Sequence, residues 1–193
     1  MTRRLRPFVA LIALVLVLVG GCADDDAPTS APTTGAGYQA GDGSFTLWTP
    51  EERAAPVTLA GESLDGAPVD SADWRGDVVV VNFWYASCPP CRAEAPDLVE
   101  LAGTFDDVHF LGVNPRDEAG AARAFEERFA VPYPTILDPQ AEVVAAMQGV
   151  VPLQAMPTTV VLDREGRPAG RVLGRIDPEI LSGIIEDTLE ETK

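Results

Sequence analysis

Two cysteines separated by a pair of prolines are the residues of this chain best suited to chemistry. Cys88 and Cys91, in the stretch YASCPPCRAE, follow an apolar run at 78–84 that is typical of a strand buried on both faces. The next residues predict a helix at 89–103, so both sulfurs are expected at a helix N-terminus, where peptide dipoles favour a thiolate. A pair in this position could exchange disulfides, bind a metal ion or link the chain covalently.

The prolines predict how the first turn of that helix is built. A residue before proline is pushed into extended geometry, which is the geometry of a helix N-cap, and proline suits the first helical position. Cys88 is therefore the predicted N-cap. Because Pro90 has no N–H, the amide of Cys91 is left to donate to the Cys88 sulfur. We predict that Cys88 is the exposed attacking thiol, with a pKa below the free value of about 8.5, and that Cys91 is the shielded resolving thiol.

Glu94 stands three residues after Cys91, so on a helix the two side chains share one face. A carboxylate there could pass a proton to or from the buried sulfur, as a general acid or base. It could equally be an ordinary glutamate near the helix start, favoured by the dipole. The spacing alone does not decide between the two roles.

Pro157 directly precedes an apolar strand in the stretch AMPTTVVLD. A cis bond between Met156 and Pro157 would put this loop beside the sulfurs. It would also leave the backbone groups of Met156 free to pair with a substrate strand, the β-addition mode of peptide recognition. Most bonds before proline are trans, so on the sequence alone the trans form is favoured.

Strands and helices alternate through most of the chain, which predicts an α/β sandwich on a mixed sheet. The predicted hairpin at 57–60 and 67–69 spans a turn-rich stretch, and residues 71–74 are predicted to form a helical turn. The other predicted strands are 78–84, 108–113, 135–137, 158–163 and 171–173. The predicted helices are 89–103, 118–130, 141–148 and 178–190.

The chain begins like an exported protein. A basic start, an apolar run of 12 residues at 8–19 and the pair Gly20-Gly21 match a signal peptide, and the run is shorter than the about 20 apolar residues of a membrane span. The residues from Leu18 to Cys22 resemble a bacterial lipobox. We therefore predict a signal peptide at 1–21 and a lipidated Cys22, which would anchor the chain to the extracytoplasmic face of the cell membrane.

Residues 22–44 predict a flexible linker, because they are Pro-, Thr- and Gly-rich with few apolar side chains to bury. Residues 45–193 are long enough for one domain with a sizeable core, and no internal repeat divides them. The predicted organisation is therefore an anchor, a spacer and a single domain.

The chain is strongly acidic, with 30 Asp and Glu residues against 14 Lys and Arg residues and a net charge of −16. Removing residues 1–21 would take away three arginines and leave a net charge of −19. Such a chain is ill suited to bind nucleic acid, and the charge is expected to keep an exported domain soluble. Lys193 is the only lysine, which excludes Schiff-base chemistry on a buried lysine.

Three stretches in order, VVVVNFWYASCPPCRAEAP, GVNPRDEAGAARAFEERFAVPYPTILDP and AMPTTVVLDREGRP, strongly resemble the thioredoxin-like thiol-disulfide oxidoreductases of the TlpA/ResA type. That family includes membrane-tethered members that serve cytochrome c maturation. The resemblance covers residues 54–190 and rests on the Cys-x-x-Cys after Asn-Phe-Trp, the Arg-x-Glu-x-Pro that follows it and the later Pro-Thr-Thr. It implies a thioredoxin-like fold, a mixed central sheet flanked by helices, with an N-terminal β-hairpin and a strand-helix insertion at 117–150.

The resemblance also implies roles for individual residues. Cys88 attacks, Cys91 resolves, Glu94 tunes the pKa values of the cysteines, and the Met156–Pro157 bond is cis. No cofactor is needed. The implied enzyme is an extracytoplasmic thiol-disulfide oxidoreductase that reduces exported proteins such as apocytochrome c and is recharged by a membrane electron donor of the thiol-disulfide interchange type. A disulfide-forming oxidase stays open as an alternative, because proteins of this fold differ in reduction potential from about −270 to −120 mV.

Substrate contact is expected from three residues: Trp84, Met156 and Pro157. The chain departs from the family at Ser87, where a tryptophan usually precedes the first cysteine, so the pair lacks that aromatic flank. Asn82 stands where thioredoxin has a buried aspartate, as is common in this branch of the family.

Three other functions of the cysteine pair are open to test. Copper delivery needs a third soft or imidazole ligand, and the only histidine is His109, at the start of a predicted strand. A peroxidase would need a threonine three residues before the attacking cysteine, where Tyr85 stands. A structural disulfide suits an exported protein, but closing so short a loop stabilises little.

Overall fold

A mixed β-sheet lies at the centre of the part of the chain that the structure describes, residues 37–39, 43–152 and 156–191 of a computed structural model. Its strands are β1 (Gly37–Gln39), β2 (Gly43–Leu47), β5 (Val78–Phe83), β6 (Val108–Asn114), β7 (Thr135–Leu137), β8 (Thr158–Leu162) and β9 (Pro168–Leu173). A separate hairpin pairs β3 (Ala60–Glu62) with β4 (Pro68–Asp70). The helices are α1 (Pro89–Thr104), α2 (Ala119–Phe129), α3 (Glu142–Ala146) and α4 (Pro178–Glu190), and Ser71–Trp74 form a 3-10 turn.

Strand β5 is paired along both edges in the strand order β1-β2-β9-β8-β5-β6-β7. All six of its residues are buried, as its continuous β-branched run predicts. Strand β6 runs parallel to β5 on one side, and β8 runs antiparallel on the other. Because parallel strands end at the same edge of a sheet, the segments that follow β5 and β6 are brought together there.

Alternate residues of β5 face opposite layers of the fold. Val78 and Val80 pack in one apolar cluster with side chains of α1 and α4, whereas Val79 and Val81 pack in another with side chains of α3. Asn82 comes two residues after Val80 and therefore shares the α1 and α4 side. This alternation places the amide of Asn82 beneath α1.

The predicted α/β sandwich on a mixed sheet is confirmed, and the predicted insertion at 117–150 contains α2, β7 and α3. The largest boundary differences are of three residues: the hairpin starts at residue 60 instead of 57, and β9 starts at residue 168 instead of 171. Within the described residues, no helix is both long enough and apolar enough to cross a membrane. The predicted signal peptide and Cys22 lie outside the described residues.

The sheet begins before residue 45, the predicted start of the domain. Strands β1 and β2 pair with each other, and β2 pairs with β9, although residues 37–39 and 43–44 belong to the predicted linker at 22–44. Backbone hydrogen bonds can hold strands at the side of a sheet with few apolar side chains, so hydrophobicity alone could not show β1 and the start of β2.

Candidate redox site

Cys88 and Cys91 are joined by a disulfide at the start of α1. Cys88 is the N-cap in extended geometry, with φ −74° and ψ 113°, and its Sγ accepts a hydrogen bond from the backbone N–H of Cys91 at 3.2 Å. Pro89 and Pro90 begin the helix. The predicted cap is confirmed, and it places the Cys88 sulfur at the positive end of the helix.

The prediction that Cys88 is exposed is wrong for this disulfide form, because each cysteine is only 1% exposed. Both cysteines pack in one apolar cluster with Leu64 and other buried side chains, and the carbonyl oxygen of Met156 lies 3.9 Å from the Cys88 Sγ. The sequence neighbours Ser87 and Pro89 are exposed. A partner can therefore reach the Cys88 sulfur only if the Met156 carbonyl or some of these apolar side chains move.

The peptide bond between Met156 and Pro157 is cis, as the family resemblance implies. The 3.9 Å approach of the Met156 carbonyl to the Cys88 Sγ is a contact and not a hydrogen bond, because a disulfide sulfur carries no proton. The carbonyl of Pro157 accepts a hydrogen bond from the N–H of Gly174 at 2.8 Å. The predicted loop thus lies beside the cysteine pair, with the carbonyl of Met156 facing it.

Glu94 is fully buried on the face of α1 that also carries Cys91. Its Oε1 accepts a hydrogen bond from Asn82 Nδ2 at 2.9 Å, and its Oε2 accepts one from the N–H of Ile176 at 3.0 Å. Asn82 Nδ2 also donates to Thr159 Oγ1 at 3.0 Å. The carboxyl group of Glu94 therefore links α1 to β5 and to the segment before α4.

Burial raises the pKa of Glu94 to about 7, because the charged form loses its hydration. The hydrogen bonds from Ile176 and Asn82 favour the ionised form and oppose the rise, as does the charge of Arg175. The carboxyl group therefore titrates near neutral pH, which suits a general acid or base. Its place beside Cys91 on the helix is confirmed, and its action on the sulfur stays a prediction.

Trp84 is 3% exposed, and its ring stacks on Phe125 with 4.2 Å between the ring centroids. The ring belongs to the apolar cluster that contains both cysteines. Its indole nitrogen would lie 2.9 Å from a Cβ built on Gly112, so a glycine leaves room for it. With only 3% of its surface exposed, Trp84 supports the cysteine pair from within and does not offer the predicted surface to a substrate.

His109 lies away from the cysteines. It pairs with Val79 near the start of β5, whereas the cysteines follow the end of that strand. Its ring stacks on Trp74 at 4.7 Å, and its Nε2 is 3.1 Å from the carboxylate of Asp77. Among the residues that the structure describes, no three His, Cys, Asp or Glu side chains are arranged to hold a metal ion. His109 therefore gives the copper alternative no support.

Ala86 is held from two sides by charged side chains that sequence reasoning did not connect to it. Its N–H donates to Asp117 Oδ2, and its carbonyl oxygen accepts from Arg92 Nη1 at 3.1 Å. The guanidinium of Arg116 lies 4.7 Å from the centre of the Tyr85 ring. The only signal in the sequence is that Ala86 and Asp117 each lie shortly after one of two consecutive predicted strands, 78–84 and 108–113.

Residues 50–167, which include both cysteines, match the model of the AhpC/TSA family. The chain belongs to the AhpC/TSA family. This AhpC/TSA protein is 30% identical over 162 residues to the thiol:disulfide interchange protein HelX of Rhodobacter capsulatus, which is 79% of this chain and 89% of the relative. It is 33% identical over 125 residues to the thiol-disulfide oxidoreductase ResA of Geobacillus thermodenitrificans, which is 64% of this chain and 70% of the relative.

Solved structures of similar proteins share the fold of this AhpC/TSA family member. A DsbF homologue from Corynebacterium diphtheriae has a TM-score of 0.70 and 31% identity, covering 80% of this chain and 99% of its own. A secreted thiol-disulfide isomerase from Corynebacterium glutamicum has a TM-score of 0.72 and 27% identity, covering 81% of this chain and 100% of its own. The thioredoxin-like fold, the resemblance to the TlpA/ResA type and the enzyme class, thiol-disulfide oxidoreductase, are confirmed.

Proposed function

We propose that this oxidoreductase reduces disulfides in exported proteins through Cys88 and Cys91. The observation that carries the proposal is the disulfide at the N-cap of α1, beside the loop of Met156 and Pro157. The Cys88 sulfur is the one that the helix N-terminus and the Cys91 amide stabilise. It is therefore the better nucleophile and the better leaving group of the pair.

The reaction runs in two exchanges. In the reduced enzyme the Cys88 thiolate attacks a substrate disulfide, a mixed disulfide forms, and the other substrate sulfur leaves as a thiolate. The Cys91 thiolate then attacks the Cys88 sulfur and releases the first substrate sulfur as a second thiolate. Two electrons pass to the substrate, and the enzyme ends in the disulfide form described above.

Glu94 is the proposed proton acceptor of the second exchange. Cys91 must lose its proton before it can attack, and it lies on the same buried face of α1 as Glu94. A carboxyl group with a pKa of about 7 can take up a proton at neutral pH and release it after the product leaves. In the reverse direction the same group would return the proton to the Cys91 thiolate.

Substrate would bind next to the loop of Met156. An extended segment could pair with backbone groups of this residue, as in β-addition, and displace its carbonyl from the 3.9 Å contact with the Cys88 sulfur. Binding by backbone groups would accept many sequences around the substrate cysteines. This supports protein substrates in general, and the resemblance to the TlpA/ResA type favours apocytochrome c and a membrane electron donor as partners.

An anchor at Cys22 is the proposed means of holding the enzyme at the membrane. The support is the signal-like start and the lipobox-like residues 18–22. Mass spectrometry of the mature protein should find an N-terminal peptide that begins at Cys22 and carries the added mass of a lipid. A mature chain that starts elsewhere, or at an unmodified cysteine, would contradict the anchor.

The reductase activity is tested with insulin, whose disulfides open in a thiol buffer and whose freed chains precipitate. The purified full chain, supplied with dithiothreitol, is expected to shorten the time to precipitation in proportion to its concentration. The control is the same chain alkylated at its thiols after reduction. A rate no greater than that of dithiothreitol alone would overturn the proposal.

A further inference from the structure

We infer that Asp117 is a positioning residue for the redox reaction, because its carboxylate and the Arg92 guanidinium hold the peptide groups of Ala86 and so fix the turn that presents Cys88. The inference rests on the proposed function of the cysteine pair. It assigns a role in the redox site to a residue of the loop after β6, which no motif of the sequence connects to the cysteines.

The carboxylate of Asp117 is itself held in place by the sheet. Its Oδ2 accepts from Asn114 Nδ2 at 2.8 Å as well as from the N–H of Ala86. Asn114 is fully buried at the end of β6, and its Oδ1 accepts from the N–H groups of Arg116 and Asp117 at 3.1 and 3.0 Å. The loop after β6 thus connects Ala86 by hydrogen bonds to the buried end of the strand.

The turn that receives these bonds leads directly into the redox site. The N–H of Cys88 donates to the carbonyl of Tyr85 at 3.1 Å, and the carbonyl of Cys88 accepts from the N–H of Arg92 at 3.1 Å. Arg92 therefore bonds the turn through both its backbone and its side chain, which donates to Ala86. Movement at Ala86 would change the backbone angles of Cys88, on which the cap of its sulfur depends.

Apolar contacts and a charged hydrogen bond both hold this turn. Tyr85 and Ala86 are partly buried and pack against the apolar cluster of the cysteines, whereas Ser87 is exposed. A carboxylate on a backbone N–H is a charge-assisted hydrogen bond and is stronger than a neutral one. The contact between Asp117 and Ala86 is therefore a strong polar tie between this turn and the loop after β6.

The charge of Asp117 should disfavour the Cys88 thiolate, whereas the hydrogen bond that Asp117 accepts from Ala86 should favour it. A nearby negative charge disfavours a thiolate, whereas a well-formed cap and helix N-terminus favour it. The elements packed around the pair carry further charged residues: Arg92, Glu94, Asp97 and Glu100 on α1, Arg116 and Asp117 after β6, Arg123, Glu126, Glu127 and Arg128 on α2, and Arg175 before α4. Removing only the charge and removing the hydrogen bond should thus have opposite results.

Two variants separate these effects: Asp117→Ala and Asp117→Asn. The measurement is the pH midpoint of Cys88 alkylation by iodoacetamide, in full chains that also carry Cys22→Ser and Cys91→Ser so that Cys88 alone reports. We expect Asp117→Ala to raise the midpoint by about half a unit or more, which is about threefold less thiolate at neutral pH. In Asp117→Asn the amide oxygen can still accept from Ala86, so the midpoint should stay or fall.

Asp70→Ala is the matched control, because Asp70 also accepts from a backbone N–H, that of Ala72 at 2.8 Å, at a different turn. Its midpoint should equal that of the parent chain. Asn114→Ala releases Asp117 without changing its charge and should raise the midpoint as Asp117→Ala does, so it decides the question if Asp117→Ala does not fold.

The inference is overturned if Asp117→Ala and Asn114→Ala leave the midpoint unchanged, or if Asp117→Ala lowers it. The second result would show that Asp117 acts on Cys88 only through its negative charge. Failure of the proposed function is a separate result, because it would appear as a wild-type chain that does not speed insulin reduction.

Discussion

Cys88→Ser is expected to slow insulin reduction by about a thousandfold or more, to the rate of the buffer alone. A serine hydroxyl cannot form the mixed disulfide, so the first exchange has no nucleophile. Cys91→Ser should also stop turnover, but at a later step, because Cys88 can still attack. The measurement is the rate of insulin precipitation together with the intact mass of each variant after mixing with glutathione disulfide.

The masses tell the two variants apart. In chains that also carry Cys22→Ser, which removes the third thiol, the reduced Cys91→Ser variant should gain one glutathione quickly, whereas the Cys88→Ser variant, whose remaining thiol is 1% exposed in the oxidised structure, should gain it slowly. The reduced Cys22→Ser chain that keeps Cys88 and Cys91 should gain none and should end as the internal disulfide. Equal gain by both variants would contradict the assignment of Cys88 as the attacking residue.

Glu94→Gln is expected to remove a pH dependence of folding stability of about 3 kcal/mol, which is the free energy of raising a pKa from 4.5 to about 7. In the unfolded chain Glu94 ionises near pH 4.5, whereas in the folded protein it keeps its proton to about pH 7. Its contribution is therefore fully present below pH 4.5 and is lost as pH rises to about 7. Other groups titrate alike in both proteins and cancel in the comparison.

Urea unfolding of the two oxidised proteins between pH 4 and 8 measures this difference. The glutamine amide can accept from Asn82 but cannot also accept from Ile176, so the variant carries a cost of about 1–3 kcal/mol at every pH. The quantity to compare is therefore the slope with pH. The wild type should lose stability relative to the variant as pH rises and then run parallel to it above about pH 7. Curves that stay parallel throughout would show that Glu94 ionises normally in the folded protein.

The parts of the site that depend on neighbouring residues could be predicted from the sequence. A cysteine followed by two prolines fixes extended geometry at Cys88 and leaves the Cys91 amide as the donor to its sulfur, and the structure has that bond. The i and i+3 spacing put Glu94 on the same buried face of α1 as Cys91. These rules are local, because they follow from backbone sterics and helix geometry.

The parts that depend on distant residues could not be predicted. The pKa of Glu94 is set by burial and by bonds from Asn82 and Ile176, and these meet only when the sheet and helices pack. The burial of Cys88 comes from distant side chains such as Leu64 and from the carbonyl of Met156, 68 residues along the chain. Likewise, Arg53, on a segment without regular structure, forms a buried ion pair with Asp163 at 2.9 Å, and the pattern of hydrophobic residues carries no sign of it.

The central claim is that the pair of cysteines is a reversible two-electron couple and not a structural link. Redox titration of the full chain in glutathione and dithiothreitol buffers, followed by the mass of the alkylated protein, tests it most directly. We predict one transition between about −270 and −120 mV, with reductase function favouring the lower end. A disulfide that stays intact to potentials below about −300 mV, as structural disulfides of secreted proteins do, would contradict the account.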